Sequence, residues 1–180
     1  KQDSLYGKEN YRMVFTTNHD ENSWQGTVYE RMGKNHKNFF VLAATFSHAM
    51  PLIYSGQEAG LNHRLSFFEK DQIDFSNDSL TSFYQRVVDL KTNHPALENG
   101  AEQGEFVELA TLDMQPLYAY KRVKGANEVV VLLNFGSSPY TLKSDKLNGN
   151  YTNVISGEAL SLSADVEVRV PANDFILLTK

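Results

Sequence analysis

Tyr11-Arg12-Met13-Val14-Phe15-Thr16-Thr17-Asn18-His19-Asp20 is the stretch on which the fold turns. Residues 11–17 are rich in aromatic and β-branched side chains, which favour the pleated, half-buried surface of a strand. The run stops at three consecutive polar residues, Asn18-His19-Asp20. A loop containing Gly26 and Gly33 is expected next. Residues 38–49 then set Phe39, Leu42, Ala43, Phe46 and Ala49 at helical spacing, and Pro51 is expected to stop that helix. Leu52-Ile53-Tyr54, closed by Ser55-Gly56, reads as a second buried strand, because parallel strands covered on both faces are continuously apolar. A polar loop over residues 62–77 leads to Leu80, Phe83, Tyr84, Val87 and Leu90, an amphipathic helix with Asn77 or Asp78 as its N-cap. Asn93-His94-Pro95 ends it. Strand, helix, strand, helix predicts an α/β segment with parallel pairing.

From Glu102 onward the chain changes character. Short β-type runs are expected at 105–111, 117–123, 128–134, 139–142, 151–155, 166–170 and 174–179, punctuated by Gly125-Ala126-Asn127, Asn150 and Gly157. Runs 117–123 and 166–170 alternate apolar and polar residues, which predicts one buried and one wet face. Such spacing suggests an all-β antiparallel sandwich. Helix gives way to strand near residues 94–101, so two units are expected, 1–95 and 96–180.

Bulk properties remove several functions. The 180 residues are 41% hydrophobic and 22% charged, ordinary values for a globular chain. Acidic residues outnumber basic ones 22 to 17, for a formal net charge of −5. Lys and Arg are scattered, so no basic patch is offered to phosphates and a nucleic-acid partner is not expected. No apolar run is long enough to cross a membrane. The first residue is Lys1, so the lack of a signal-peptide pattern carries no information. Cysteine is absent, which excludes disulfides, thiolate metal sites and a Cys nucleophile without fixing the compartment. A neutral, hydroxyl-rich partner such as a carbohydrate suits this charge.

The chemistry-bearing motifs sit at the ends of the two expected parallel strands, where α/β folds build their sites. Taken alone, Asn18-His19-Asp20 is read equally well as a loop in which Asn18 and Asp20 make local turn hydrogen bonds. One βα unit later comes Ala49-Met50-Pro51-Leu52-Ile53-Tyr54-Ser55-Gly56-Gln57-Glu58. With both motifs in this order, the chain resembles the α-amylase family of glycoside hydrolases. That family carries F-x-x-N-H-D at the end of barrel strand seven and G-x-P-x-x-Y-x-G-x-E at strand eight. Ala49 stands where the family usually has Gly, a departure of one methyl group. Arg64-Leu65-Ser66-Phe67-Phe68-Glu69-Lys70-Asp71 is similar to the loop after strand eight in neopullulanase-like and maltogenic members. The resemblance covers nearly the whole chain. It implies a partial (β/α)8 TIM barrel, strands seven and eight with their helices, followed by an antiparallel Greek-key β-sandwich.

The resemblance also implies roles. Asp20 corresponds to the carboxylate that hydrogen-bonds the distorted sugar and favours its oxocarbenium-like transition state, and His19 donates a hydrogen bond to the same sugar. Bonds that strengthen as the ring flattens are worth several kcal/mol, and a charged acceptor makes the stronger ones. Asn18 is read as bracing the loop, with Tyr54 and Glu58 as structural residues near the site. Trp24 and Tyr29 either stack on a neighbouring sugar or pack their loop onto the barrel, the second reading being preferred. Of the five histidines, His19, His36, His48, His63 and His94, none pairs at metal-ligand spacing, and no metal or cofactor is expected. Many family members bind calcium, but its usual ligands lie in segments this chain does not contain.

A retaining glycosidase needs a nucleophile and an acid/base roughly 5 Å apart. The family places the nucleophile in G-x-R-x-D after strand four and the acid/base Glu after strand five. No Gly here begins G-x-R-x-D. The resemblance therefore implies part of an enzyme acting on α-glucosidic bonds of starch-like glucans, inactive by itself. Two βα units cannot close a barrel, so both strand edges are expected to be covered by self-association, rearrangement or disorder. Two other readings stand beside this one: a non-catalytic amylase-like relative, and a carbohydrate-binding β-module, which leaves the motifs of residues 11–58 unexplained.

Overall fold

A computed structural model of the chain describes residue 7, residues 9–113 and residues 115–180. Two strands carry the polar tips. β1 (Arg12–Phe15) and β2 (Ala49–Leu52) pair in parallel, with Arg12 opposite Ala49 and Phe15 opposite Leu52. β2 thus lies ahead of the expected Leu52-Ile53-Tyr54 run and includes Pro51. Proline has no N–H to give to a ladder, but among the described residues β2 pairs with β1 alone, so no bond is forfeited on a second side.

Between the strands, the stretch after the polar tip is helical where a loop was expected, and the expected helix follows it. A π-helical turn (Glu21–Gln25) leads to α1 (Val28–Met32), a 3-10 turn (Gly33–Asn35) and α2 (His36–Thr45). α2 stops at Thr45, well before Pro51. Phe46 turns extended and His48 adopts a left-handed φ of 54°, which redirects the chain into β2. α3 (Thr81–Asn93) matches the second amphipathic pattern. Its N-cap is Leu80, however, with no side-chain cap bond. The Asn77 side chain accepts from the Ser79 N–H instead, and Asp78 offers only its carbonyl, to the Thr81 N–H.

The rest is sheet: β3 (Glu105–Ala110), β4 (Leu117–Lys124), β5 (Asn127–Asn134), β6 (Tyr140–Lys143), β7 (Gly149–Asn153), β8 (Ala159–Leu162), β9 (Glu167–Val170) and β10 (Asp174–Thr179). β8 has no counterpart among the expected runs; Ala-Leu-Ser-Leu is short, carries no β-branched or aromatic residue and sits at a sheet edge. Six strands form an antiparallel sheet in the order β3-β4-β5-β10-β7-β8, and β6 and β9 form a separate antiparallel ribbon.

The central strands are dry on both faces. Val130 and Leu132 of β5 pack with Leu142, Val168 and Val170 of the ribbon. Val129, Val131 and Leu133, on the opposite face, pack with Phe40, Val41 and Ala44 of α2 and Tyr84 and Val87 of α3. The wet face expected for residues 117–123 is therefore absent: Tyr120 and Arg122 of β4 are fully buried. Hydrogen bonds hold most of the buried polar groups here, while Arg122 Nε and Asn38 Oδ1 have no partner among the described residues. Arg122 donates to the carbonyls of Thr45 (3.2 Å) and Gly104 (3.1 Å), and the Tyr120 and Thr45 hydroxyls lie 2.6 Å apart. Buried Asn38 of α2 donates to the carbonyls of Asn134 (2.9 Å) and Asp174 (3.2 Å), tying the helix to the sheet. β9 does alternate as its pattern predicts, with Val168 and Val170 inside and Glu167 and Arg169 outside.

Candidate functional site

Parallel pairing sends the C-terminal ends of β1 and β2 the same way, so the Asn18-His19-Asp20 tip and the Tyr54–Glu58 turn share one end of the strand pair. Asn18 starts the helical turn. Its side-chain carbonyl accepts the Glu21 N–H at 2.8 Å, and its backbone carbonyl accepts the Asn22 N–H at 2.9 Å. Because Asn18 satisfies the first turn, the Asp20 carboxylate makes no cap bond. It lies 3.7 Å from His19 Nε2, with the two side chains 61% and 65% exposed. An acceptor and a potential donor thus stand together in solvent.

Behind this pair, the loops after β1 and β2 are stitched together. Asn22 donates to the His63 carbonyl (3.1 Å) and accepts from the Leu65 N–H (2.7 Å). Ser23 donates to the Leu65 carbonyl (2.7 Å), and Thr27 to Asn62 (2.8 Å). The Thr27 hydroxyl also accepts the Glu30 N–H, while the Glu30 carboxylate accepts the Thr27 N–H, a reciprocal cap of α1. The same carboxylate receives Arg64 through two bonds, of 2.9 and 3.0 Å. The Arg64 guanidinium, then the Thr27 N–H, hold Glu30 at about 2 against an ordinary 4.5. Arg31 completes the frame, pairing with Glu21 at 2.7 Å and donating to the Thr16 carbonyl at 3.0 Å.

Gln57 is a buried strut that the motif reading passed over. Its amide donates to Thr16 (2.6 Å) and to the Tyr84 hydroxyl (2.9 Å), linking the tip of β1, the turn after β2 and α3. Burial raises the Tyr84 phenol well above its ordinary value and keeps it neutral. Gly56 sits at φ 86° in the same turn, where a Cβ would come within 2.8 Å of Ile73. Of the other residues singled out from the sequence, Tyr54 joins the turn through its backbone, which bonds Gln57 in both directions. Glu58 Oε2 is buried with no hydrogen-bond partner among the described residues. Tyr29 is half-buried with its ring 4.7 Å from that of His36, while Trp24 is 56% exposed. Thr27-x-x-Glu30 is a capping-box pattern legible in the sequence; the long-range partners of Asn22, Arg64 and Gln57 carry no such mark. Among the described residues no group of three or more His, Asp or Glu is placed to hold a metal ion, and no helix is long and apolar enough to cross a membrane.

Comparison with known proteins gives a consistent result. No family model matches the chain. The β/α-amylase of Paenibacillus polymyxa is 25% identical over 165 residues, covering 88% of this chain and 13% of that protein. The α-amylase 2 of Dictyoglomus thermophilum is 25% identical over 172 residues, covering 87% of this chain and 28% of that protein. The chain therefore spans well under a third of these relatives, matching a C-terminal part of them. Among solved structures, the maltogenic α-amylase AmyB from Thermotoga neapolitana superposes with a TM-score of 0.76 at 17% identity, covering 99% of this chain and 43% of that one. The α-amylase of Geobacillus thermoleovorans, complexed with acarbose, superposes with a TM-score of 0.71 at 17% identity, covering 94% and 38%.

Proposed function

Because the chain corresponds to a C-terminal part of α-amylase-family proteins, we propose that it supplies the last two βα units of a retaining glycoside hydrolase acting on α-glucosidic bonds of starch-like glucans. In this reading residues 1–95 complete a catalytic (β/α)8 barrel, β1 and β2 being its strands seven and eight. Residues 96–180 are the appended Greek-key β-sandwich domain. The observation that carries the reading is the uncommitted Asp20 carboxylate beside His19, at the end of a strand paired in parallel with the strand bearing the second motif.

Asp20 accepts hydrogen bonds from the hydroxyls of the distorted sugar, and His19 donates to the same ring. As positive charge develops at the anomeric centre, the fixed carboxylate is worth more to the transition state than to the ground state, which is the condition for acceleration. Asn18 braces the turn, and Tyr54 and Glu58 belong to the supporting structure. The nucleophile and acid/base come from elsewhere in the barrel, so the 180-residue chain does not hydrolyse glucan alone. Its strand pair leaves Met13, Phe15 and Met50 exposed, and such a bare, apolar, open-edged pair favours self-association.

Asp20→Asn in an enzyme that carries this chain tests the assignment. Turnover of maltoheptaose should fall about a hundredfold or more, since several kcal/mol of transition-state stabilisation is at stake, with the melting temperature unchanged. A variant with near-normal turnover overturns the role.

A further inference from the structure

The Arg31 guanidinium holds the chain on both flanks of the Asn18-His19-Asp20 tip. Its Nη1 donates to the Thr16 carbonyl at 3.0 Å, ahead of the tip. Its Nη2 pairs with the Glu21 carboxylate at 2.7 Å, immediately after Asp20. The residues between these two anchors are Thr17, Asn18, His19 and Asp20. Fully exposed ion pairs hold little in place, but the Arg31 and Glu21 side chains are only 27% and 30% exposed, against 65% and 61% for His19 and Asp20.

The tip depends on such an anchor. The Asp20 side chain makes no cap bond and stands in solvent, so its position follows from its backbone. That backbone runs straight into a π-helical turn, closed by the Gly26 N–H on the Glu21 carbonyl at 2.8 Å. Turns of this kind are rare and gather at functional sites. Arg31 is itself well fixed. It lies on α1, whose N-terminus is capped reciprocally by Thr27 and Glu30, and Glu30 receives Arg64 from the loop after β2. The guanidinium therefore refers the tip of one strand to the loop that follows the other.

We infer that Arg31 is a positioning residue for Asp20: its two bonds fix the backbone before and after the tip, and so set where the carboxylate meets the sugar. This rests on the transition-state role proposed for Asp20, and Arg31 itself touches no substrate. Arginine suits the task because its planar fork presents donors in fixed directions, whereas a lysine ammonium is a compact charge on a flexible stem. A misplacement of about 1 Å at a reacting group costs about a hundredfold in rate, so a clamp outside the chemistry governs turnover.

A double-mutant cycle in an enzyme that carries this chain tests the assignment, with maltoheptaose as substrate. Arg31→Met should lower kcat about tenfold or more while KM changes less than about threefold. Arg31→Lys should stay nearer to Arg31→Met than to the wild type; full recovery would overturn the two-point clamp. In the Asp20→Asn background, Arg31→Met should cost less than about a further twofold, because the placement of a carboxylate already removed cannot be lost again. Equal losses in both backgrounds would mean that Arg31 supports the barrel at large, and would overturn the inference. Glu21→Gln keeps the Thr16 anchor and decides the matter if Arg31→Met does not fold: kcat should fall about threefold, and again only while Asp20 is present. If Arg31→Met and Glu21→Gln keep near-normal kcat while Asp20→Asn abolishes turnover, the positioning role falls and the catalytic one stands. If Asp20→Asn keeps near-normal turnover, the catalytic role falls and takes the positioning role with it.

Discussion

The tip carrying His19 and Asp20 and the middle of the six-stranded sheet sit at opposite extremes of solvation. At the tip, side chains are exposed and order comes from polar bonds between two loops: Asn22 to Leu65, Thr27 to Asn62, Glu30 to Arg64. In the middle of β4, β5 and β10 side chains are buried on both faces, and Arg122 donates to two backbone carbonyls. Burial gives the sheet its stability, while directional bonds give the tip its geometry. Directional bonds suit a binding surface, because they orient groups without covering them.

That contrast can be broken by experiment. Leu133→Ala removes a fully buried side chain from the core shared by α2, α3 and the sheet. A loss of about 2–5 kcal/mol is expected, read as a lower urea midpoint, with tip and sheet unfolding together. Separate transitions would mean that the helices and sheet do not act as one unit. Arg122→Met fills the space but leaves the carbonyls of Thr45 and Gly104 without their donor. The expected cost is roughly 1–3 kcal/mol, measured the same way. An unchanged midpoint would show that this guanidinium is dispensable to the packing.

Glu30→Gln should have the smallest effect and a local one. The Glu30 carboxyl is held at about 2, below its ordinary 4.5. Its contribution is therefore fully present above the ordinary value and is lost as pH falls toward 2. The wild-type chain should protect the amides of residues 62–65 from hydrogen exchange better than the variant at pH 7, and the difference should close on acidification. Protection in β5 should not change. An equal loss in β5 would erase the distinction between the two regions.

Parts of this arrangement were legible from the residues alone. The run 11–17 and the apolar spacing of 80–90 mark β1 and α3 because strand and helix periods are local properties. The position of the Asn18-His19-Asp20 tip was legible for a related reason: it is contiguous, and its end of the strand pair follows from the order of elements. The frame behind it was not. Asn22, Gln57 and Arg64 are ordinary polar residues whose partners lie far along the chain, and no local pattern distinguishes such a residue from a solvated one. Pro51 misled the reading of α2 and β2, since a proline that stops helices is also tolerated where a strand pairs on one side.

The amino-acid order by itself marked β1, α3 and most of the later strands and set a histidine and an aspartate at a strand's end, because both depend on near neighbours in the chain. Tertiary structure alone decided which faces are dry. Residues 117–123 alternate as a half-wet strand would, yet the C-terminal end of α2 and the segment 95–104 cover their polar side and bury Tyr120 and Arg122. Burial depends on what packs from a distance, and that distance is closed only when the chain has folded.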